Sequence, residues 1–266
     1  FIDWIDFMEI KAKKSLGQNF LQDEAVLKKI ASSIKTEKND LIIEIGPGTG
    51  ALTKYLKEKG SFLLCYELDE RLKEILKKEE NKKTKIIFKD FLKANIEEDS
   101  KIFPYENIFI IANIPYYITT PIIKHIIHLE KLKSMTLLVQ KEVAERFAAP
   151  PKTKAYGSLT VYLNYYFNIH YLFDVSRFAF KPTPKVESAV INFERKRKRP
   201  NVKNEELFFK LINDAFKMKR KTLKNNLKEY DWNKIKTVLE QNDFSETTRA
   251  EELSLEIFIE IANTLS

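Results

Sequence analysis

The chain is sparing with the residues that most often advertise covalent architecture or metal chemistry. Its 266 residues include one cysteine, so no internal disulfide can form. That excludes a disulfide-stapled scaffold and predicts a reducing compartment. Cys65 stands in the apolar run F-L-L-C-Y and reads as a small buried hydrophobe. Histidine is nearly as scarce, at three. His125 and His128 fall on one predicted helix without a Cys or carboxylate at metal spacing, so no metal is expected. No apolar run reaches the roughly 18 to 20 residues of a membrane span, and the opening F-I-D-W-I-D-F-M-E-I carries acids where a secretory signal needs bases. A soluble, cytoplasmic protein without a membrane role is the expectation. Glycine is rare too, with six in all, yet three of them, Gly46, Gly48 and Gly50, crowd into E-I-G-P-G-T-G.

What is present points to a globular protein with an anionic partner. Hydrophobic residues make up 44%, enough for a sizeable core, and 46 Lys and Arg against 38 Asp and Glu leave a net charge of +8. The excess favours a polyanion such as nucleic acid, although a Lys-rich surface also serves solubility alone. From Leu41 to about Gln140, short apolar runs (L-I-I-E-I, S-F-L-L-C-Y-E) alternate with amphipathic segments (A-L-T-K-Y-L-K-E-K-G, D-E-R-L-K-E-I-L-K-K). This is the βαβ pattern of a parallel sheet covered by helices. Further strands are predicted at 85–89, 107–112 and 135–139, and helices at 120–129 and 141–148. Two late apolar runs, N-I-H-Y-L-F-D-V-S and K-V-E-S-A-V-I-N-F, read as strands closing the sheet as an antiparallel edge. After R-K-R-K-R-P only helical periodicity remains, in E-E-L-F-F-K-L-I-N-D-A-F, W-N-K-I-K-T-V-L-E and L-E-I-F-I-E-I-A-N-T-L. The expectation is an α/β domain over 1–194 and a small all-helical domain over 195–266.

The glycine cluster sits between a predicted strand and helix, where it permits a tight turn and close approach of backbone to a ligand. Glu67, at the end of the next strand, is suited to accept both hydroxyls of a ribose, and Asp90 to accept from an adenine amino group. These features fit any nucleoside-containing cofactor, dinucleotides included, although the spacing is G-x-G-x-G rather than G-x-G-x-x-G. Asn113, Ile114, Pro115, Tyr116 and Tyr117 follow the apolar run I-F-I-I-A. Pro115 cannot donate to a sheet ladder, so N-I-P-Y-Y is expected as a loop at a strand's carboxyl end, where open α/β sheets keep their ligands. An exocyclic adenine amine is a poor nucleophile because its lone pair is delocalised. The Asn113 amide oxygen and the Ile114 carbonyl can accept its two N–H bonds and reshape it, with Tyr116 stacked on the purine and Pro115 stiffening the loop.

With these motifs the sequence resembles the ribosomal RNA adenine N6,N6-dimethyltransferases, and in particular their bacterial small-subunit branch, which sets kasugamycin sensitivity. The resemblance runs from K-K-S-L-G-Q-N-F-L to R-A-E-E-L-S and is carried by G-Q-N-F-L, E-I-G-P-G-T-G, N-I-P-Y, V-Q-K-E-V-A-E-R-F and F-K-P-T-P-K-V-E-S-A-V. It implies a Rossmann-like class I methyltransferase sheet with S-adenosylmethionine as methyl donor. It implies that Asn19, Leu21, Gly46, Gly48, Glu67, Leu68, Asp90, Phe91 and Asn113 hold the cofactor. Tyr116 and Phe180 match the aromatic pair that stacks the flipped target adenine. The implied reaction is dimethylation of two adjacent adenosines in the 3′-terminal hairpin loop of 16S rRNA, on an assembling small subunit and by a monomer. Phosphate contact falls to Arg195, Lys196, Arg197, Lys217, Lys219, Arg220, Lys221 and Lys224, with K-A-K-K in the N-terminal arm as a second basic element. The nearest rivals are a large-subunit methylase conferring macrolide resistance and a non-catalytic RNA-binding assembly or transcription factor on the same fold. The segment V-Q-K-E-V-A-E-R-F-A-A-P-P-K-T-K-A-Y-G-S-L-T-V favours the small-subunit enzyme.

Overall fold

A computed structural model describes residues 18–113 and 118–266. The strands are β1 (Phe20–Leu21), β2 (Leu41–Ile45), β3 (Phe62–Glu67), β4 (Thr84–Phe88), β5 (Ile108–Asn113), β6 (Leu132–Gln140), β7 (Phe167–Val175), β8 (Phe180–Lys181) and β9 (Ser188–Arg195). The helices are α1 (Glu24–Ser32), α2 (Ala51–Lys57), α3 (Lys73–Leu76), α4 (Ile96–Ser100), α5 (Thr119–Ile126), α6 (Lys141–Phe147), α7 (Ser158–Tyr166), α8 (Glu205–Ala215), α9 (Leu223–Asn226), α10 (Trp232–Gln241) and α11 (Leu255–Leu265). Seven strands form one sheet in the order β4-β3-β2-β5-β6-β9-β7, and β1 pairs with β8 in a separate two-stranded ribbon.

The apolar runs form the sheet as expected. β2, β3, β4, β5 and β6 are parallel, with Ile43 opposite both Leu64 and Ile110, and β9 runs antiparallel against β6. All five residues of β2 are buried, which is why the strand reads as a continuous apolar run instead of an alternating one. Strand order reverses between β2 and β5, so their carboxyl ends flank the crevice in which such sheets bind ligands.

The chain divides into two compact units. The first holds the residues up to Lys141 together with His170–Glu194, and the second holds Glu142–Ile169 together with Arg195–Ser266. The sequence boundary near 195 is therefore one of three crossings. Residues 142–169 group with the C-terminal helices because α7 packs its aromatic face on α8. Tyr165 lies 5.2 Å from Phe208 and 5.4 Å from Phe209, and Tyr162 lies 5.0 Å from Phe209. The sequence S-L-T-V-Y-L-N-Y-Y, rich in β-branched and aromatic residues, is helical because those rings find partners at helical spacing; packing overrides local propensity. The segment D-E-R-L-K-E-I-L-K-K departs from its helical pattern by breaking into 3₁₀ turns at Glu70–Leu72 and Lys77–Glu79 around the single turn of α3.

Ile110 is fully buried in the middle strand of the first unit. Ile110→Ala should lower stability by about 3 kcal/mol in urea unfolding, since both faces of β5 are packed and the cavity has little room to collapse.

Candidate active site

Site geometry begins with the turn between β2 and α2. Gly46 has φ +71°, and a Cβ there would lie 3.3 Å from the Asn113 carbonyl oxygen; Gly48 has φ +58°, and a Cβ there would lie 3.0 Å from the Phe20 ring. Both positions need glycine for conformation and for space at once. The turn can thus lie close against the end of β5 and beneath β1.

Glu67 closes the next strand and fixes the turn from the side. One carboxylate oxygen accepts from Gly48 N–H at 3.0 Å; the other accepts from Leu68 N–H at 2.9 Å and Asp69 N–H at 2.8 Å. Burial pushes the Glu67 carboxyl above its ordinary range, and the three backbone donors oppose that push. Asp69 is held the other way, down to about 2, by Arg71 and, next among the stabilising partners, by the Gln18 amide, which donates at 2.9 Å. Asp90 ends the run after β4, with one carboxylate oxygen accepting from Leu92 N–H at 3.0 Å as the cap of a short 3₁₀ turn.

These groups share one cleft in the first unit. Gly46, Gly48, Glu67, Asp90 and Asn113 line it at the strand ends. Leu68 and Phe91 add apolar surface; Leu68 is 56% exposed, while Phe91 is buried edge-on against Tyr66. Asn19 and Leu21 line it from the N-terminal segment and Phe180 from β8. Phe180 is only 5% exposed, packed in the core beside its ladder partner Leu21. Ile114, Pro115 and Tyr116, and the K-A-K-K arm, lie outside the described residues.

Sequence reasoning did not single out Gln18, Phe20 or Glu44. Gln18 and Phe20 belong to G-Q-N-F-L, and the ring lying on Gly48 is the reason an aromatic stands between Asn19 and Leu21. Glu44 lines the cleft from within β2 although it is 2% exposed. Its carboxylate accepts from the Thr53 hydroxyl at 2.7 Å and from the Cys65 thiol at 3.5 Å. His125 faces Ala94 O at 3.1 Å and the edge of Phe91. Among the described residues no group of His, Cys, Asp and Glu is arranged to hold a metal ion, and no helix is long and apolar enough to cross a membrane.

The basic residues belong to the second unit and fall into two sets. Arg195 lies over the Tyr166 and Phe167 rings at 5.3 and 5.5 Å, and Lys196 donates to the Asn164 carbonyl at 2.5 Å. Lys219 donates to the Lys154 carbonyl and Lys224 pairs with Glu246. Arg197, Lys217, Arg220 and Lys221 are exposed and make no ion pair among the described residues.

The model of the family described as "Ribosomal RNA adenine dimethylase" matches residues 9–266. The chain belongs to this family. The chain is 41% identical to "Ribosomal RNA small subunit methyltransferase A" of Streptococcus thermophilus, over 95% of this chain and 91% of that protein. It is 42% identical to the protein of the same name from Clostridium botulinum, over 97% and 95%. Among solved structures, a dimethyladenosine transferase from Plasmodium falciparum aligns with TM-score 0.75 and 26% identity, covering 91% of this chain and 95% of that one. The 23S rRNA methyltransferase ErmE aligns with TM-score 0.74 and 24% identity over 93% and 99%, a likeness of fold.

Burial raises the Glu44 carboxyl from its ordinary 4.5 to about 7. An acid raised in this way binds more protons folded than unfolded between those two values, so its contribution to stability falls as pH rises through that window and is constant on either side. Glu44→Gln removes the dependence. Relative to wild type, the variant should gain roughly 3 kcal/mol between pH 4.5 and pH 8, read from urea midpoints across that range.

Proposed function

We propose that this protein transfers methyl groups from S-adenosylmethionine to the N6 atoms of two adjacent adenosines in the 3′-terminal hairpin loop of 16S rRNA, on an assembling small subunit. The observation that carries the reading is the single cleft in which the glycine turn, Glu67, Asp90 and Asn113 meet, in a chain of this family.

The residues present fit the cofactor. Gly46 lines the cleft without a side chain of its own, so backbone can come close to a ligand's amino acid end there. The Glu67 carboxylate is locked by three backbone donors and keeps acceptor capacity for ribose hydroxyls. The Asp90 oxygen outside its capping bond is an acceptor for an adenine amine, and exposed Leu68 offers apolar cover for the base. Asn19 and Leu21 line the same space. S-Adenosylmethionine, when bound, supplies an electrophilic methyl on a sulfonium.

The chain's own work is to make the amine a nucleophile and to aim it. Asn113, at the carboxyl end of β5, accepts one amine N–H through its side-chain oxygen, and the Ile114 carbonyl accepts the other. Two acceptors out of the ring plane draw the nitrogen towards a tetrahedral form, with its lone pair facing the donor. Once methylated, the nitrogen would carry a strongly acidic N–H whose proton would pass to water, so no strong general base among the cleft residues is required. The aromatic pair assigned to the flipped adenine is Tyr116 and Phe180. Arg197, Lys217, Arg220 and Lys221 contact phosphates, which gives affinity without base choice. The protein works as a cytoplasmic monomer.

The test is transfer of labelled methyl from S-adenosylmethionine to small and large subunits from methylation-deficient cells. Small subunits alone should be labelled, with N6,N6-dimethyladenosine recovered, and Asn113→Ala should lower kcat at least about a hundredfold. Labelled large subunits would replace the substrate assignment; tight subunit binding without transfer would leave an assembly factor.

A further inference from the structure

Phe178 is the most exposed large apolar side chain among the described residues, at 74%. A lone exposed apolar residue is ordinary on a protein surface, so its meaning rests on its surroundings. The Arg177 guanidinium lies 4.9 Å from the centre of the Phe178 ring. Arg177 is itself anchored: its backbone N–H donates to one Glu187 carboxylate oxygen at 2.8 Å, and its Nε lies 3.9 Å from the other.

The turn that carries the ring is pinned at both ends. Ser176 caps it, its hydroxyl accepting from Phe178 N–H at 3.3 Å and its carbonyl from Ala179 N–H at 2.9 Å. The Ala179 carbonyl then accepts from Gln22 N–H at 2.8 Å and Asp23 N–H at 3.4 Å, just before Phe180 and Lys181 enter the ribbon with β1. The ring therefore stands on a fixed base two residues from Phe180, which lines the cleft. Two residues of chain span no more than about 7 Å, a distance comparable to the step from one nucleotide to the next. Lys181 and Lys185 are exposed nearby in sequence and form no ion pair among the described residues.

An exposed ring backed by a cation, with unpaired ammonium groups beside it, has the chemistry of a single-strand stacking platform: the ring receives a base and the cations receive phosphates. We propose that Phe178 stacks the base immediately flanking the target adenine, with Lys181 and Lys185 meeting the adjoining phosphates. This site deepens the rRNA methylation reading and rests on it. It would fix which nucleotide enters the cleft by holding the neighbour in register, so it acts on substrate affinity and not on the methyl transfer itself.

The experiment is steady-state methylation of small subunits by wild type, Phe178→Ala, Phe178→Trp and Phe178→Leu, with S-adenosylmethionine affinity measured in parallel. Phe178→Ala should raise KM for small subunits about tenfold, in keeping with loss of one base–aromatic stack, with kcat within about twofold and cofactor affinity unchanged. Phe178→Trp should stay within about threefold of wild type, and Phe178→Leu should behave like Phe178→Ala. A KM for Phe178→Ala within about twofold of wild type overturns the proposal. So does a Phe178→Leu variant as good as Phe178→Trp, which would mark an apolar contact with a ribosomal protein. Wild type that fails to label small subunits removes the reading of function beneath the proposal, and is seen before any variant is compared.

Discussion

The site depends on a carboxylate held by backbone. Glu67 gathers three N–H groups, one from the glycine turn after β2 and two from its own strand end. Each charge-assisted bond restrains a different piece of chain, so the turn, the end of β3 and the loop behind it share one fixed point. The cost is burial of a charge, which makes the carboxyl a weaker acid than usual. On the proposed reading, in which Glu67 receives ribose hydroxyls, the acceptor is oriented before the ligand arrives and loses little freedom on binding.

Around that point the fold brings together elements that are distant in the chain. The ribbon of β1 and β8 is two residues long on each side, yet it sets Phe20 on the Gly48 turn and Phe180 in the cleft wall. One short strand thereby joins the glycine turn, through Phe20, to the Phe180 wall of the cleft. The same ribbon anchors the turn bearing Phe178, so the proposed flanking-base platform shares the frame of the chemistry itself.

Much of this was legible in the sequence because its causes are local. Glycines in a chain otherwise short of them announce a turn, a fully buried strand announces itself as an unbroken apolar run, and Glu67 and Asp90 stand at strand ends where a nucleoside site needs acceptors. The parts that were not legible are those decided by distant contacts. The β1–β8 pairing joins segments too short to carry a periodic signal. The sequence of α7 carries no clear helical signal of its own, and the helix packs Tyr165 on Phe208 and Phe209. Arg195 and Lys196 read as phosphate ligands within R-K-R-K-R, but Tyr166, Phe167 and the Asn164 carbonyl already engage them. A charge run names its residues without saying which heads reach solvent. Glu44, in turn, was invisible as a chemical group because a lone acid inside an apolar strand gives no hint of Thr53 and Cys65 beside it.

The most direct measurement of the central claim is the equilibrium affinity of wild type and Glu67→Gln for S-adenosylmethionine. Gln keeps the size but turns one oxygen into a donor facing backbone donors, and removes the charge. If the fixed carboxylate is the seat of the cofactor ribose, affinity should fall by about ten- to a hundredfold, the worth of one or two charge-assisted hydrogen bonds. Affinity within about twofold of wild type would contradict that assignment and the account built on it.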